Sequence, residues 1–263
     1  MALCEVHWFS NVIQKQTAMY VILPDAGQGP FPVYYLLHGL SDDYTIWLRR
    51  TRVEVYATGL PLIIVMPDGY RGFYTNNYDG PAYARHIGEE LPAMVERVFG
   101  ARPERSARFI GGLSMGGYGA LRIALGYPER FCMAISHSGA VACGHKPAEA
   151  FKDRLPAEFY RQVFGEQPAG SEHDLLHLAE RAKATGVLPA IYVDCGTEDF
   201  LLGDNRWFHS ELERRNIAHE YREFPGEHNW DYWDERVRDA LERIKSVIVR
   251  SGSGKVGPDG AVV

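Results

Sequence analysis

Gly111-Gly112-Leu113-Ser114-Met115-Gly116-Gly117-Tyr118-Gly119 sets one serine inside G-x-S-x-G, with glycine crowded on both sides. Upstream, residues 107–110 read as a short buried strand; downstream, residues 120–125 read as a helix that stops near Gly126-Tyr127-Pro128. A turn this tight forces its central residue into a strained backbone conformation, and Gly112 and Gly116 remove Cβ atoms that would otherwise collide. The Ser114 hydroxyl is left at the tip. The Met115 amide, at the N-terminus of the following helix, points into the same space, where it can stabilise a developing oxyanion. The bland alternative is a glycine-rich turn without chemistry, since the pattern alone also arises by chance. A phosphate-binding loop is excluded, because G-x-x-x-x-G-K-[ST] is absent and no lysine follows the turn.

Around this stretch lies a chain of 263 residues, 46% hydrophobic, enough for one large α/β domain with a sizeable core. A net charge of -6 without a basic run argues against a nucleic-acid partner. Cys4, Cys132, Cys143 and Cys195 are scattered, with no C-x-x-C pair, and read as buried free thiols. The N-terminal residues lack the charge and apolar pattern of a signal peptide, and no apolar run is long enough to span a bilayer. The expectation is a cytoplasmic protein without a membrane partner, needing neither metal nor cofactor; self-association is left open.

In chain order, residues 3–9 and 17–23 read as an antiparallel entry to a sheet. The apolar runs 33–37 and 62–66 suit central parallel strands, and further strands are expected at 131–136, 190–195 and 219–224. Helical spacing falls at 46–58, 83–99, 206–215 and 231–249. This alternation predicts a mostly parallel sheet with helices on both faces and ligands at the carboxyl ends of its strands. Residues 140–186 depart from the rhythm, with helical pieces at 148–155 and 174–184, and read as a small cap insertion in a domain spanning 1–250. Residues 251–263, rich in Gly and Ser, read as a disordered tail.

A serine hydroxyl needs a base within reach, and the base needs a third group to fix its tautomer. His228 follows a strand and the Phe224-Pro225-Gly226 turn and precedes a helix; Asp199 holds the equivalent place after the strand ending at Cys195. The order Ser114, Asp199, His228 is that of an α/β-hydrolase triad. Against this stand a solvent-exposed loop histidine and a helix-capping aspartate. Glu198 and Asp204 are rival acids read as structural, Asp194 is expected to make buried hydrogen bonds, and His38, His137, His209 and His219 are read as structural. The second oxyanion donor is sought after strand 33–37, where Gly39 lets the backbone approach a substrate and Leu40 offers its amide; the same tripeptide equally suits an ordinary tight turn.

The elbow, together with Tyr35-Leu36-Leu37-His38-Gly39-Leu40-Ser41-Asp42-Asp43, Trp47, Phe73-Tyr74-Thr75, Glu89-Glu90-Leu91-Pro92 and Cys195-Gly196-Thr197-Glu198-Asp199-Phe200, resembles the putative-esterase branch of the α/β-hydrolases. That branch includes tributyrin-type esterases, S-formylglutathione hydrolases (esterase D), feruloyl esterases and mycolyltransferases, and the tributyrin-type esterases are the nearest in motif. The resemblance implies an α/β-hydrolase fold, with Ser114 as nucleophile, His228 as base, Asp199 as orienting acid and the Leu40 and Met115 amides as oxyanion hole. It implies hydrolysis of short-chain, small-molecule carboxylic esters through an acyl-enzyme. The S-formylglutathione hydrolases are expected to carry Gly-Leu-Thr-Cys where this chain has Gly39-Leu40-Ser41-Asp42, which turns the reading away from thioesters. S-formylglutathione hydrolysis, feruloyl or acetyl-carbohydrate ester hydrolysis, acyl transfer and a non-catalytic ligand-binding module are the alternatives. Tyr44, Trp47, Phe73, Tyr74, Trp230 and Trp233 are candidate pocket walls, although aromatic clusters more often serve core packing.

Overall fold

Every residue of β3 (Val33–Leu37) is buried, and alternate side chains leave on opposite faces. Val33, Tyr35 and Leu37 join one core cluster, while Tyr34 and Leu36 join a second. A run apolar at every position therefore marks a strand covered on both sides. This computed structural model describes residues 1–252. The tail expected over 251–263 lies, from residue 253 onward, outside the described residues.

Eight strands form one sheet: β1 (Ala2–Ser10), β2 (Lys15–Leu23), β3, β4 (Ile63–Pro67), β5 (Arg108–Leu113), β6 (Met133–His137), β7 (Ala190–Gly196) and β8 (Glu220–Phe224). Their order is β1-β2-β4-β3-β5-β6-β7-β8. β1 and β2 enter antiparallel, with Val6 opposite Met19, and β2 lies antiparallel to β4. From β4 to β8 all neighbours are parallel, so the carboxyl ends of β3, β5, β7 and β8 open on one edge. The fold is that of the α/β-hydrolases, as expected.

The single helix read at 46–58 is two, α1 (Ile46–Arg50) and α2 (Val53–Tyr56). Thr51 between them is extended. Its hydroxyl donates to the Trp47 carbonyl at 2.5 Å, and the Arg52 amide leaves the helical ladder for the Asp234 carboxylate at 2.7 Å. The helix read at 83–99 is also interrupted: α3 (Tyr83–Arg85) widens into one π-turn (His86–Glu90) before α4 (Leu91–Phe99). Pro92 has no amide to continue the ladder, and Leu91 donates instead to the His86 carbonyl five residues back. The wide turn lets Glu90 accept from the Asn11 amide at 2.7 Å, holding the β1–β2 hairpin.

α5 (Met115–Gly126) begins directly after Ser114, earlier than the helix read at 120–125. Three glycines in its first turns mask it from propensity, yet a Cβ on Gly119 would lie 2.3 Å from the Tyr74 ring. Between β6 and β7 the chain makes a 3₁₀ turn (Ala148–Phe151), α6 (Ala157–Phe164) and α7 (Leu175–Ala184), which Asp174 caps by accepting from the Leu176 amide. Phe151, Tyr160, Phe164 and Leu178 join the same core cluster as β3 and α5. α8 (Leu202–Arg214) and α9 (Trp230–Gly252) follow β7 and β8. Cys143 and Cys195 are buried free thiols, whereas Cys4 and Cys132 are only partly covered, Cys4 because it sits on the edge strand. Among the described residues no helix is long and apolar enough to cross a membrane.

Candidate active site

Ser114 sits between β5 and α5 at φ 52°, ψ -115°, a conformation that costs an L-residue free energy and persists only where its surroundings enforce it. Two backbone bonds do so: the Ser114 amide donates to the His137 carbonyl at 2.9 Å, and the Ala140 amide donates to the Ser114 carbonyl at 3.0 Å. The flanking glycines are needed for closeness. A Cβ on Gly112 would fall 2.6 Å from the Leu37 carbonyl oxygen, and one on Gly116 would fall 2.5 Å from that oxygen and 2.7 Å from the His38 carbonyl oxygen. The elbow is therefore pressed directly against the end of β3.

The loops after β7 and β8 bring the other two groups to Ser114. His228 Nε2 lies 3.1 Å from Ser114 Oγ, and His228 Nδ1 lies 2.8 Å from Asp199 Oδ2. Asp199 is buried, and its second oxygen accepts from the Leu201 amide at 2.8 Å, so it also anchors the approach to α8. Burial alone raises its carboxyl, but the His228 hydrogen bond, the imidazole's charge and the Leu201 amide outweigh it and hold the group below the usual carboxylate range. Trp233, itself buried, meets the His228 ring edge-on with centroids 4.9 Å apart.

Neither rival acid reaches His228. Glu198 accepts from the Gly226 amide at 2.6 Å and from the Thr197 hydroxyl at 2.8 Å, pinning the turn that precedes His228. Asp204 binds Lys146 at 2.6 Å and Arg154 at 2.8 Å. Asp194 makes the expected buried hydrogen bonds, accepting from His137 Nδ1 at 2.6 Å and from the Tyr232 hydroxyl at 2.8 Å. This network joins the strand whose carbonyl holds Ser114 to the helix that begins just after His228.

Leu40 follows β3 on a turn closed from both ends: the Asp42 amide donates to the Gly39 carbonyl at 3.3 Å, and the Gly39 amide donates to Asp42 Oδ2 at 3.2 Å. Buried His38 braces it, with Nδ1 donating to the Gly39 carbonyl at 2.7 Å and Nε2 accepting from the Gly69 amide at 2.9 Å. Among the described residues neither the Leu40 amide nor the Met115 amide donates to a protein acceptor. Two free donors thus stand beside the elbow, because Gly116 abuts the residue that precedes Gly39. A cavity of about 510 Å³ borders Leu40 and Asp42, walled by Tyr70, Tyr83, Phe159 and Val163, and does not extend to Ser114.

The aromatic candidates divide. Trp47 and Tyr74 are fully buried and hydrogen-bonded inward, Trp47 Nε1 to the Leu37 carbonyl at 3.1 Å and the Tyr74 hydroxyl to the His38 carbonyl at 3.1 Å. Phe73 is buried among Tyr118, Phe159 and Phe164. These three are corrected from pocket walls to packing, Trp47 and Tyr74 against the end of β3 and Phe73 between α5 and α6, since a buried ring offers a substrate no surface. Tyr44 is spent on Glu5, at 2.8 Å, and on the Tyr20 ring. Trp230 is half-buried between Trp47 and Trp233. Sequence reading missed Phe159 and Val163; their signal was the apolar set Phe159, Tyr160, Val163 and Phe164, spaced as one helix face after Pro156. It also passed over Phe200, whose ring lies 4.5 Å from that of His228.

With this geometry in hand, the chain can be set beside known proteins. A family model described as putative esterase matches residues 10–244. An acetyl esterase of Caldicellulosiruptor saccharolyticus is 33% identical over 265 residues, covering 94% of this chain and 99% of that protein. Among solved structures, the substrate-bound fluorophosphonate-binding serine hydrolase F of Staphylococcus aureus is 30% identical with a TM-score of 0.83, covering 93% of this chain and 98% of the other. An S-formylglutathione hydrolase of the same organism is 30% identical with a TM-score of 0.81 over the same shares.

Proposed function

Because the chain belongs to the putative esterase family and is a carboxylic ester hydrolase with the α/β-hydrolase fold, we propose that it cleaves short-chain acyl esters through an acyl-enzyme on Ser114. His228 Nε2 takes the hydroxyl proton as Ser114 Oγ attacks the ester carbonyl, and Asp199 holds the ring in the tautomer whose Nε2 is free to accept. The carbonyl oxygen gains charge and is met by the Leu40 and Met115 amides. The carbon–oxygen bond to the alcohol then breaks, and His228 passes its proton to the departing oxygen. Water enters, gives a proton to Nε2 and attacks the acyl carbon; Ser114 leaves, recovers the proton, and the acid is released. None of these steps calls on a metal or a cofactor.

The observation that carries this reading is the run of contacts from Ser114 to His228 to Asp199, at 3.1 and 2.8 Å, ending at a serine in a strained elbow. The likeness to an acetyl esterase supports the short-chain limit. The likeness to an S-formylglutathione hydrolase favours one second reading, thioester cleavage by the same groups. Residues 140–186 serve as a small cap in this account, supported by Phe159 and Val163 of α6 on the wall of the cavity beside Leu40. Four free thiols support a reducing compartment, the cytoplasm.

Turnover of p-nitrophenyl acetate, butyrate and octanoate beside S-formylglutathione, with Ser114→Ala in parallel, tests the reading. Activity that depends on Ser114 and falls with chain length is expected. A dominant thioester rate moves the assignment to the second reading, and full activity in Ser114→Ala removes the nucleophile.

A further inference from the structure

We infer that Phe200 forms the leaving-group subsite of the enzyme and that it receives a flat, apolar alcohol, the phenol of an aryl ester. The inference rests on the triad reading above and goes beyond it by naming the departing group. Phe200 is 57% exposed and directly follows the buried acid Asp199. Its ring centroid lies 4.5 Å from that of His228. Among the described residues it is the one exposed large apolar side chain in ring contact with the triad.

The chemistry of the step says which half of the ester meets it. His228 must hand its proton to the departing oxygen, so that oxygen and its first few atoms lie beside the imidazole. The carbonyl oxygen lies instead toward the Leu40 and Met115 amides, the two donors without a protein acceptor among the described residues. Trp233, buried at 4.9 Å, closes one approach to the imidazole, whereas the side along Phe200 is open. The ledge is also held in place. Arg154 stacks its guanidinium 5.4 Å from the Phe200 ring centroid and donates Nη2 to the Phe200 carbonyl at 3.3 Å, while Nη1 is fixed by Asp204 at 2.8 Å. A ring so braced is ready to stack before the substrate arrives, and its free surface suits a second ring more than a short alkyl chain.

The test compares kcat/KM for phenyl acetate and methyl acetate in the wild type and in Phe200→Ala, Phe200→Leu and Phe200→Tyr. A weakened His228 slows methyl acetate more, because methoxide needs the proton more than phenoxide does, so it raises the phenyl-to-methyl ratio and cannot account for a fall. The phenyl-to-methyl ratio is expected to fall roughly tenfold in Phe200→Ala and Phe200→Leu and to be kept in Phe200→Tyr. The ratio of phenyl butyrate to phenyl acetate, which differ in the acyl half alone, is expected to stay where it is. A phenyl-to-methyl ratio unmoved in both ring-less variants overturns the inference, as does an acyl ratio that moves equally far. Ser114→Ala in the same assay separates the two levels: activity there sinks the triad reading, whereas a dead Ser114→Ala beside an unmoved ratio sinks the Phe200 subsite alone.

Discussion

Gly116→Ala adds one methyl group where two backbone carbonyl oxygens already stand, Leu37 O at 2.5 Å and His38 O at 2.7 Å from the new carbon. Neither neighbour is a flexible side chain, so the end of β3 and the start of α5 must part by roughly half an ångström or more to reach ordinary contact. That movement separates the Leu40 amide from the Met115 amide, the two proposed oxyanion donors. Loss of one such donor costs about 2.7–4 kcal/mol of transition-state stabilisation, so kcat is expected to fall about 10²- to 10³-fold with a much smaller change in KM. Overpacking adds about 1–3 kcal/mol of destabilisation, a fall in Tm of roughly 2–10 °C for a chain this long. The assay is steady-state hydrolysis of p-nitrophenyl acetate beside a thermal melt. Gly203→Ala in α8 is the control, because its new Cβ meets nothing within 4 Å. Wild-type kcat and Tm in Gly116→Ala would refute the account of the elbow as a close contact that aligns the oxyanion donors.

Tyr232→Phe strips the buried Asp194 carboxylate of the donor at 2.8 Å and leaves it with His137 alone, so unfolding in urea is expected to show a loss of about 2 kcal/mol. An unchanged midpoint would mean that this bond contributes nothing. His173 is buried beside Thr75, and burial holds its imidazole down at about 4 from the ordinary 6.5. The unfolded chain therefore binds the extra proton first, and the stability present above pH 6.5 drains away as pH falls to about 4, up to about 3 kcal/mol in all. His173→Gln, which cannot take the proton, is expected to flatten the Tm profile over that window. Parallel wild-type and variant profiles would rule His173 out as the source.

Much of the molecule was legible because its signals are local. Apolar runs as short as 33–37 marked strands buried on both faces, and G-x-S-x-G marked a turn that has few other uses between a strand and a helix. The spacing of Asp199 and His228 after their strands placed them at the same sheet edge as Ser114, since parallel strands end together. The two broken helices also answer to partners far away in the chain. The break between α1 and α2 depends on Asp234 in α9, and the π-turn before α4 serves a hairpin at Asn11.

The amino-acid sequence by itself determined the sheet, the elbow and which three side chains, Ser114, Asp199 and His228, meet at its edge, since periodicity, turn chemistry and order along the chain are properties of neighbouring residues. Tertiary structure alone decided which aromatic rings stay exposed. Sequence reading singled out Trp47, Phe73 and Tyr74 and passed over Phe200, yet those three are covered and Phe200 stands open beside His228. Exposure is set by the surface that remote segments bring to a side chain, and no spacing within one segment records it.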